Sequence, residues 1–303
     1  MRKIKFIDIF AGIGGFHLAF RNLGAECVFT SEIDLHARKT YEINFMNISK
    51  KLFADNNFAG DITKVNPNHI PDFDILCAGF PCQPFSQAGY KRGFQEILQN
   101  RGNMFFEIIK IMEIKRPKAF FLENVRHLKN HEEGRTFGVI QKTLEDLGYS
   151  FHSKIVKASD HGLPQHRPRL FMVGFLNETT EKSSFSFPEK MPLKTKMSDI
   201  FGGQCNKDVG YTLRVGGRSS GIHDRMNWDC YVVNGSEVKL TSKEGKKMMG
   251  IPDNFLFPVS ETQAMKQLGN SVAVPAIQAT AKKIIEYLES KYLLKDWNLI
   301  DKN

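Results

Sequence analysis

The sequence predicts an α/β protein, a mostly parallel sheet with helices on both faces, followed by a smaller loop-rich region. Three observations predict it. The chain opens on a strand, a glycine turn and a helix; strand and helix patterns then alternate to about residue 175; and from Asn177 the residues turn to Lys, Ser, Pro and Gly with few regular periods.

The elements follow in order. Residues 3–10 form an apolar run read as a strand, and residues 15–22 carry a helical pattern. Residues 25–31 repeat the strand and 35–44 the helix. The alternation continues with a strand over 75–78, a helix over 103–115 and a strand over 119–123. A helical pattern over 139–147 leads to two segments, 149–158 and 170–174, that read as paired strands finishing the sheet. The first domain is thus expected to span residues 1–176. Residues 177–260 form the small second domain, with β-like pieces at 211–215 and 229–233. In residues 261–303 the helical period returns, over 261–268 and 275–292, and the last helix is expected to pack back on the first domain. The polar tail 296–303 reads as frayed.

Composition bounds the function. A chain of 303 residues, 41% hydrophobic and 25% charged, has the make-up of a globular protein. It holds no run near the roughly 20 apolar residues that span a bilayer, and Met1-Arg2-Lys3-Ile4-Lys5 runs into a strand pattern instead of a signal sequence, so a cytoplasmic protein is expected. The five cysteines are scattered without a C-x-x-C pair, which argues against a disulfide framework and a zinc site. The net charge of +9 fits a polyanionic partner, as it fits many ordinary basic enzymes.

Several motifs bring chemistry to the carboxyl edge of the sheet. Phe10-Ala11-Gly12-Ile13-Gly14-Gly15 lies between strand and helix, where glycines let a ligand approach the backbone; a tight packing turn is the plain alternative. Glu32, ending the second strand, stands where such folds place a carboxylate for ribose hydroxyls. The glycines do not match G-x-G-x-x-G, which disfavours a dinucleotide. Asp61 could accept from an adenine amino group or simply cap a turn. Cys82, in Gly79-Phe80-Pro81-Cys82-Gln83, follows a strand and is hard to explain as core. The next segment, with Lys91, Arg92 and Arg101 among glycines, suits a loop closing on phosphates or a solvated loop. Glu123 ends another strand, and a thiol with a carboxyl suggests covalent catalysis with an acid partner. In Gln165-His166-Arg167-Pro168-Arg169, alternate residues of an extended segment would share a face, so Arg167 and Arg169 are expected to point the same way.

Together these segments resemble the DNA (cytosine-5) methyltransferase family of bacterial restriction-modification type. The matching blocks are residues 8–16, Glu32, Gly60-Asp61-Ile62, Pro81-Cys82-Gln83, Arg101-Gly102 with Phe105-Phe106-Glu107, Glu123-Asn124-Val125, Gln165-x-Arg167-x-Arg169 and Gln267-x-Gly269-Asn270-Ser271-Val272, all in family order. The resemblance implies an S-adenosylmethionine-dependent Rossmann-like sheet with a small target-recognition domain. It implies S-adenosylmethionine bound by Phe10, Gly12, Gly14, Glu32, Ile33, Asp61, Ile62, Pro81, Met104, Asn270 and Val272. It makes Cys82 the nucleophile, Glu123 the acid at N3 and Arg167 the holder of the base carbonyl, with Arg169 supporting it, pairing with a carboxylate or meeting DNA. Gln83, Ser86, Lys91, Arg92, Arg214 and Arg218 are further DNA contacts. Arg214, Arg218 and Arg225 could read guanine edges or hold phosphates. The implied partners are double-stranded DNA, met by a monomer, and a companion restriction endonuclease acting separately. An RNA-directed member of the family is the alternative, although the Cys-Phe-Thr mark of the transfer-RNA enzymes is not found. The resemblance is thinnest between Asn177 and Val238, and Lys239 stands where the family usually has arginine.

Overall fold

The computed structural model of the protein describes residues 3–81, 104–178, 182–215 and 221–300. Strand β1 (Lys5–Ile9) enters the glycine turn, and α1 (Gly15–Arg21) leaves it. Then come β2 (Glu26–Ser31), α2 (Leu35–Phe45), α3 (Lys50–Ala54), β3 (Phe58–Ala59) and β4 (Ile75–Gly79). Helix α4 (Met104–Lys115), β5 (Ala119–Val125), α5 (Arg135–Asp146), β6 (His152–Lys157) and β7 (Pro168–Phe175) complete the sheet region. Among the described residues the sheet has seven strands in the order β3-β2-β1-β4-β5-β7-β6. Strands β3 to β5 run parallel, while β7 is antiparallel to both β5 and β6. The expected terminal pair is therefore β6 and β7.

The central strands are apolar on both faces because helices cover both. On one face Ile7, Leu76, Phe120 and Leu122 pack with Phe105, Ile109, Ile140 and Leu144 from α4 and α5. On the other, Phe6, Phe121 and Val173 join α1, α2 and the long C-terminal helix. This second cluster also takes in Met197, Leu213, Trp228, Tyr231 and Met248, so the loop-rich region packs against the sheet's covering helices through one continuous core.

That region contains α6 (Met197–Phe201), the hairpin β8 (Cys230–Val233) and β9 (Ser236–Lys239), and α7 (Ser242–Met248). Helix α7 starts at a capping box in which Thr241 and Glu244 satisfy each other's backbone amides. Helices α8 (Glu261–Asn270) and α9 (Val274–Ile300) follow.

Three expectations change. The stretch 211–215 is no strand: side chains of another segment hold its backbone, as shown below. Helix α5 begins four residues ahead of 139, because Gly134 at φ +87 turns the chain into it. Helix α9 continues through Ile300, past the expected end at 292 and into the tail read as frayed. The two-residue strand β3 stands just ahead of Gly60-Asp61. No described helix is long and apolar enough to cross a membrane.

Candidate active site

The ends of β1, β2, β4 and β5 open on one cleft of about 720 Å³, a size typical of small-molecule sites. Its first wall is the glycine turn. Gly14 has φ +85, and a Cβ there would stand 2.4 Å from the Phe45 ring, so the rings of α2 leave room for glycine alone. Gly12 differs. It has φ +55, and a Cβ would meet nothing within 4 Å, because that side faces the cleft.

The Gly12 N–H donates to Glu32 Oε2 at 2.7 Å, and the Asp34 N–H donates to Oε1 at 2.8 Å. Each oxygen keeps a lone pair free for another donor. Burial pushes the Glu32 carboxyl up, and these two amides pull it back. Ile33 lines the cleft with 69% of its surface exposed, a large apolar side chain left open to it. Asp61 and Ile62 line it too. Asp61 Oδ1 also accepts from the Thr63 N–H and hydroxyl, so this residue caps a turn while facing the cleft.

The cleft leaves donors and acceptors unused. Ser31 Oγ, Gln263 Oε1 and Gln267 Nε2 are buried, line it, and have no hydrogen-bond partner among the described residues. An open glycine side, a carboxylate at the end of β2 and orphaned polar atoms suit a nucleoside-bearing ligand of the kind S-adenosylmethionine is. Phe10, Pro81, Met104 and Asn270 also line the cleft. Gly14 and the Val272 side chain stand behind the wall instead: Val272 is 8% exposed and packs where a Cβ on Gly15 would be.

The second wall carries the acid. Gly79 and Glu123 are register partners on β4 and β5, which sets Glu123 beside the start of the Pro81 loop. Asn124 secures that loop, its amide donating to the Phe80 carbonyl at 2.9 Å. Glu123 is 8% exposed, and Arg169 Nε lies 3.0 Å from its Oε1. Burial raises the Glu123 carboxyl above its usual range; the Arg169 and then the Arg167 charge oppose the shift. Cys82, Gln83, Ser86, Lys91, Arg92 and Arg218 lie outside the described residues.

Arg167 requires a correction. It was expected to face the base beside Arg169, but it lies outside the cleft lining and is 1% exposed. Its guanidinium donates to the carbonyls of Leu213, at 3.3 Å, Gly269, at 2.8 Å, and Ser271. The physical reason is backbone. Arg167 has φ +24 and β7 begins only at Pro168, so the two arginines are not alternate residues of one extended strand. Of these two arginines, Arg169 is the one that lines the cleft.

Further lining residues were not among the expected site residues. Thr212, Leu213 and Val215 accompany the exposed Arg214, and Gln263, Lys266 and Gln267 come from α8. Gln263 and Gln267 are spaced i, i+4, which would have put both on one helix face. Ser31 carries no comparable signal. No group of three or more His, Cys, Asp or Glu able to hold a metal occurs among the described residues.

The sheet, with its glycine turn after β1 and acid after β2, defines an enzyme of the S-adenosylmethionine-dependent methyltransferase fold. The family description "C-5 cytosine-specific DNA methylase" matches residues 4–215 and 213–286, and the chain belongs to that family. It is 42% identical to the Type II methyltransferase M1.ScrFI of Lactococcus lactis subsp. cremoris over 95% of this chain and 79% of that one. To M.HpaII of Haemophilus parainfluenzae it is 41% identical, covering 96% and 91%. Of solved structures, the Entamoeba histolytica methyltransferase EhMeth superposes with a TM-score of 0.69 at 18% identity, covering 96% and 99%, a likeness of fold. The chain is a DNA (cytosine-5-)-methyltransferase of the restriction-modification type.

Proposed function

We propose that the enzyme methylates carbon 5 of a cytosine flipped out of double-stranded DNA, within one specific sequence, through a covalent bond between Cys82 and carbon 6. The observation that carries the reading is Glu123, a buried carboxyl with a raised pKa, one strand from the Pro81 loop and in the same cleft as Gly12 and Glu32.

Carbon 5 of cytosine is too weak a nucleophile to take a methyl group unaided. Cys82 adds its thiolate to carbon 6, which forms the S–C bond and moves an electron pair toward carbon 5. Glu123 donates a proton or hydrogen bond at N3, so negative charge does not build up on the ring. Arg169 holds Glu123 from the cleft side and has N–H groups left for the base carbonyl. S-Adenosylmethionine, held by the glycine turn, Glu32, Ile33, Asp61 and Asn270, supplies the methyl group to carbon 5 when bound. A base or ordered water then takes the carbon-5 proton, and Cys82 leaves as the ring double bond re-forms. A stacked duplex hides these atoms, so the cytosine must be extruded at a cost of a few kcal/mol. The enzyme acts as a monomer and guards host DNA against a separate restriction endonuclease.

The test is transfer of labelled methyl from S-adenosylmethionine to plasmid DNA and to transfer RNA. Label is expected in DNA alone. Cys82→Ser is expected to abolish both transfer and covalent trapping by DNA containing 5-fluorocytosine, and near wild-type methylation by that variant would refute the covalent route.

A further inference from the structure

We propose that Arg167 is a positioning residue that couples the cofactor segment to the DNA-reading segment. The inference rests on the proposed use of S-adenosylmethionine and DNA. Arg167 is among the largest fully buried side chains, and its hydrogen bonds go to backbone carbonyls of two segments distant in sequence. Gly269 and Ser271 bracket Asn270, which lines the cofactor cleft. Leu213 lies between Thr212 and Arg214, which line it as well. One guanidinium therefore ties the turn that ends α8 to the stretch that carries Arg214.

The same peptide is gripped twice. Gln165 Oε1 accepts from the Leu213 N–H at 3.1 Å, and the Gln165 amide donates to the Met248 carbonyl at 3.0 Å. The two segments also touch directly: a Cβ on Gly269 would fall 2.6 Å from the Arg214 carbonyl oxygen. With so little slack, a shift of 269–271 on ligand binding displaces 213–214. Two residues beyond Arg167, Arg169 pairs with Glu123, which ties the acid to the same node.

A buried cation surrounded by carbonyls is a costly way to fill space, and an apolar side chain would serve simple packing better. The fork shape explains the choice. Nη1 reaches Leu213 while Nη2 reaches Gly269 and Ser271, a two-pronged geometry that the point charge of an ammonium does not reproduce. Lysine would keep the charge and lose the link.

Three measurements on the full chain test this: calorimetric binding of S-adenosylhomocysteine, binding of a duplex carrying the methylated sequence with and without that ligand, and hydrogen exchange over residues 210–215. In the wild type the ligand should tighten DNA binding and slow exchange over 210–215 by about tenfold. In Arg167→Lys both effects should fall below about twofold, with the ligand still bound. Coupling retained in Arg167→Lys, or absent from a wild type that binds the ligand, overturns the inference. A wild type that binds no ligand overturns the cofactor reading, and the inference with it. Should Arg167→Lys fail to fold, Gln165→Leu removes the other grip on Leu213; the same loss of coupling is expected, and wild-type coupling there overturns the inference.

Discussion

At the scale of single residues, Glu123 holds the balance of the site. Burial raises its carboxyl and Arg169 lowers it. Glu123→Gln keeps the shape and removes the proton, so kcat is expected to fall by about 10²–10⁴ while calorimetry still detects S-adenosylhomocysteine binding. A normal rate would take Glu123 out of the mechanism. The pH dependence has a definite sign. A reaction that needs the protonated carboxyl proceeds below its pKa and fades as the pH rises through it. Replacing Arg169 with Met removes the charge that lowers this pKa, so the alkaline limb of kcat should move to higher pH as kcat itself drops. A limb that moves down, or stays, contradicts this assignment of Arg169.

At the scale of elements, the glycine turn separates packing from ligand binding within three residues. A methyl group at Gly14 meets Phe45 at 2.4 Å, so Gly14→Ala should destabilise the fold by about 1–3 kcal/mol. At Gly12 the methyl group meets open space, and the cost is the left-handed backbone alone, about 1–2 kcal/mol. Its effect belongs to the ligand: Gly12→Ala should weaken S-adenosylhomocysteine binding well beyond its loss in denaturant midpoint, whereas unchanged affinity would mean that the open side of Gly12 is not the cofactor's. Elements with a long apolar run, such as α4 and β5, were legible in the sequence. The stretch 211–215 was not, because it is held by partners that a local pattern does not contain, Gln165 and Arg167.

At the scale of the molecule, the net charge of +9 implies a long-range attraction to DNA that salt screens. DNA affinity should fall linearly on a log–log plot against salt concentration. Exposed Arg214 stands at the rim of the cleft, and Arg214→Ala separates its two readings. A phosphate contact predicts a slope shallower by about 1 at unchanged sequence choice; a base contact predicts relaxed choice. A slope and a choice both equal to wild type would remove Arg214 from the interface. The shared core is also a property of this scale. Because Leu213, Trp228 and Met248 pack in the same cluster as Phe6 and Phe121, the loop-rich region is expected to unfold with the sheet in one transition.

The sequence by itself determined the class of fold and the inventory of chemistry: the glycine turn, Glu32, Pro81 and Glu123 each sit at a strand's carboxyl end, and alternation of strand and helix is enough to bring those ends to one edge. Spacing along a chain carries that much because sheet and helix periods are local. Only the tertiary structure decided which of Arg167 and Arg169 pairs with Glu123 in the cleft. Strand alternation would have aimed Arg167 and Arg169 together, but the positive φ at Arg167 turns it away, and its destination is three carbonyls 46 to 104 residues distant in sequence. Contacts of that range leave no period to read, so the buried tie at Arg167 and the cleft-lining ion pair at Arg169 became distinguishable only once the chain had folded.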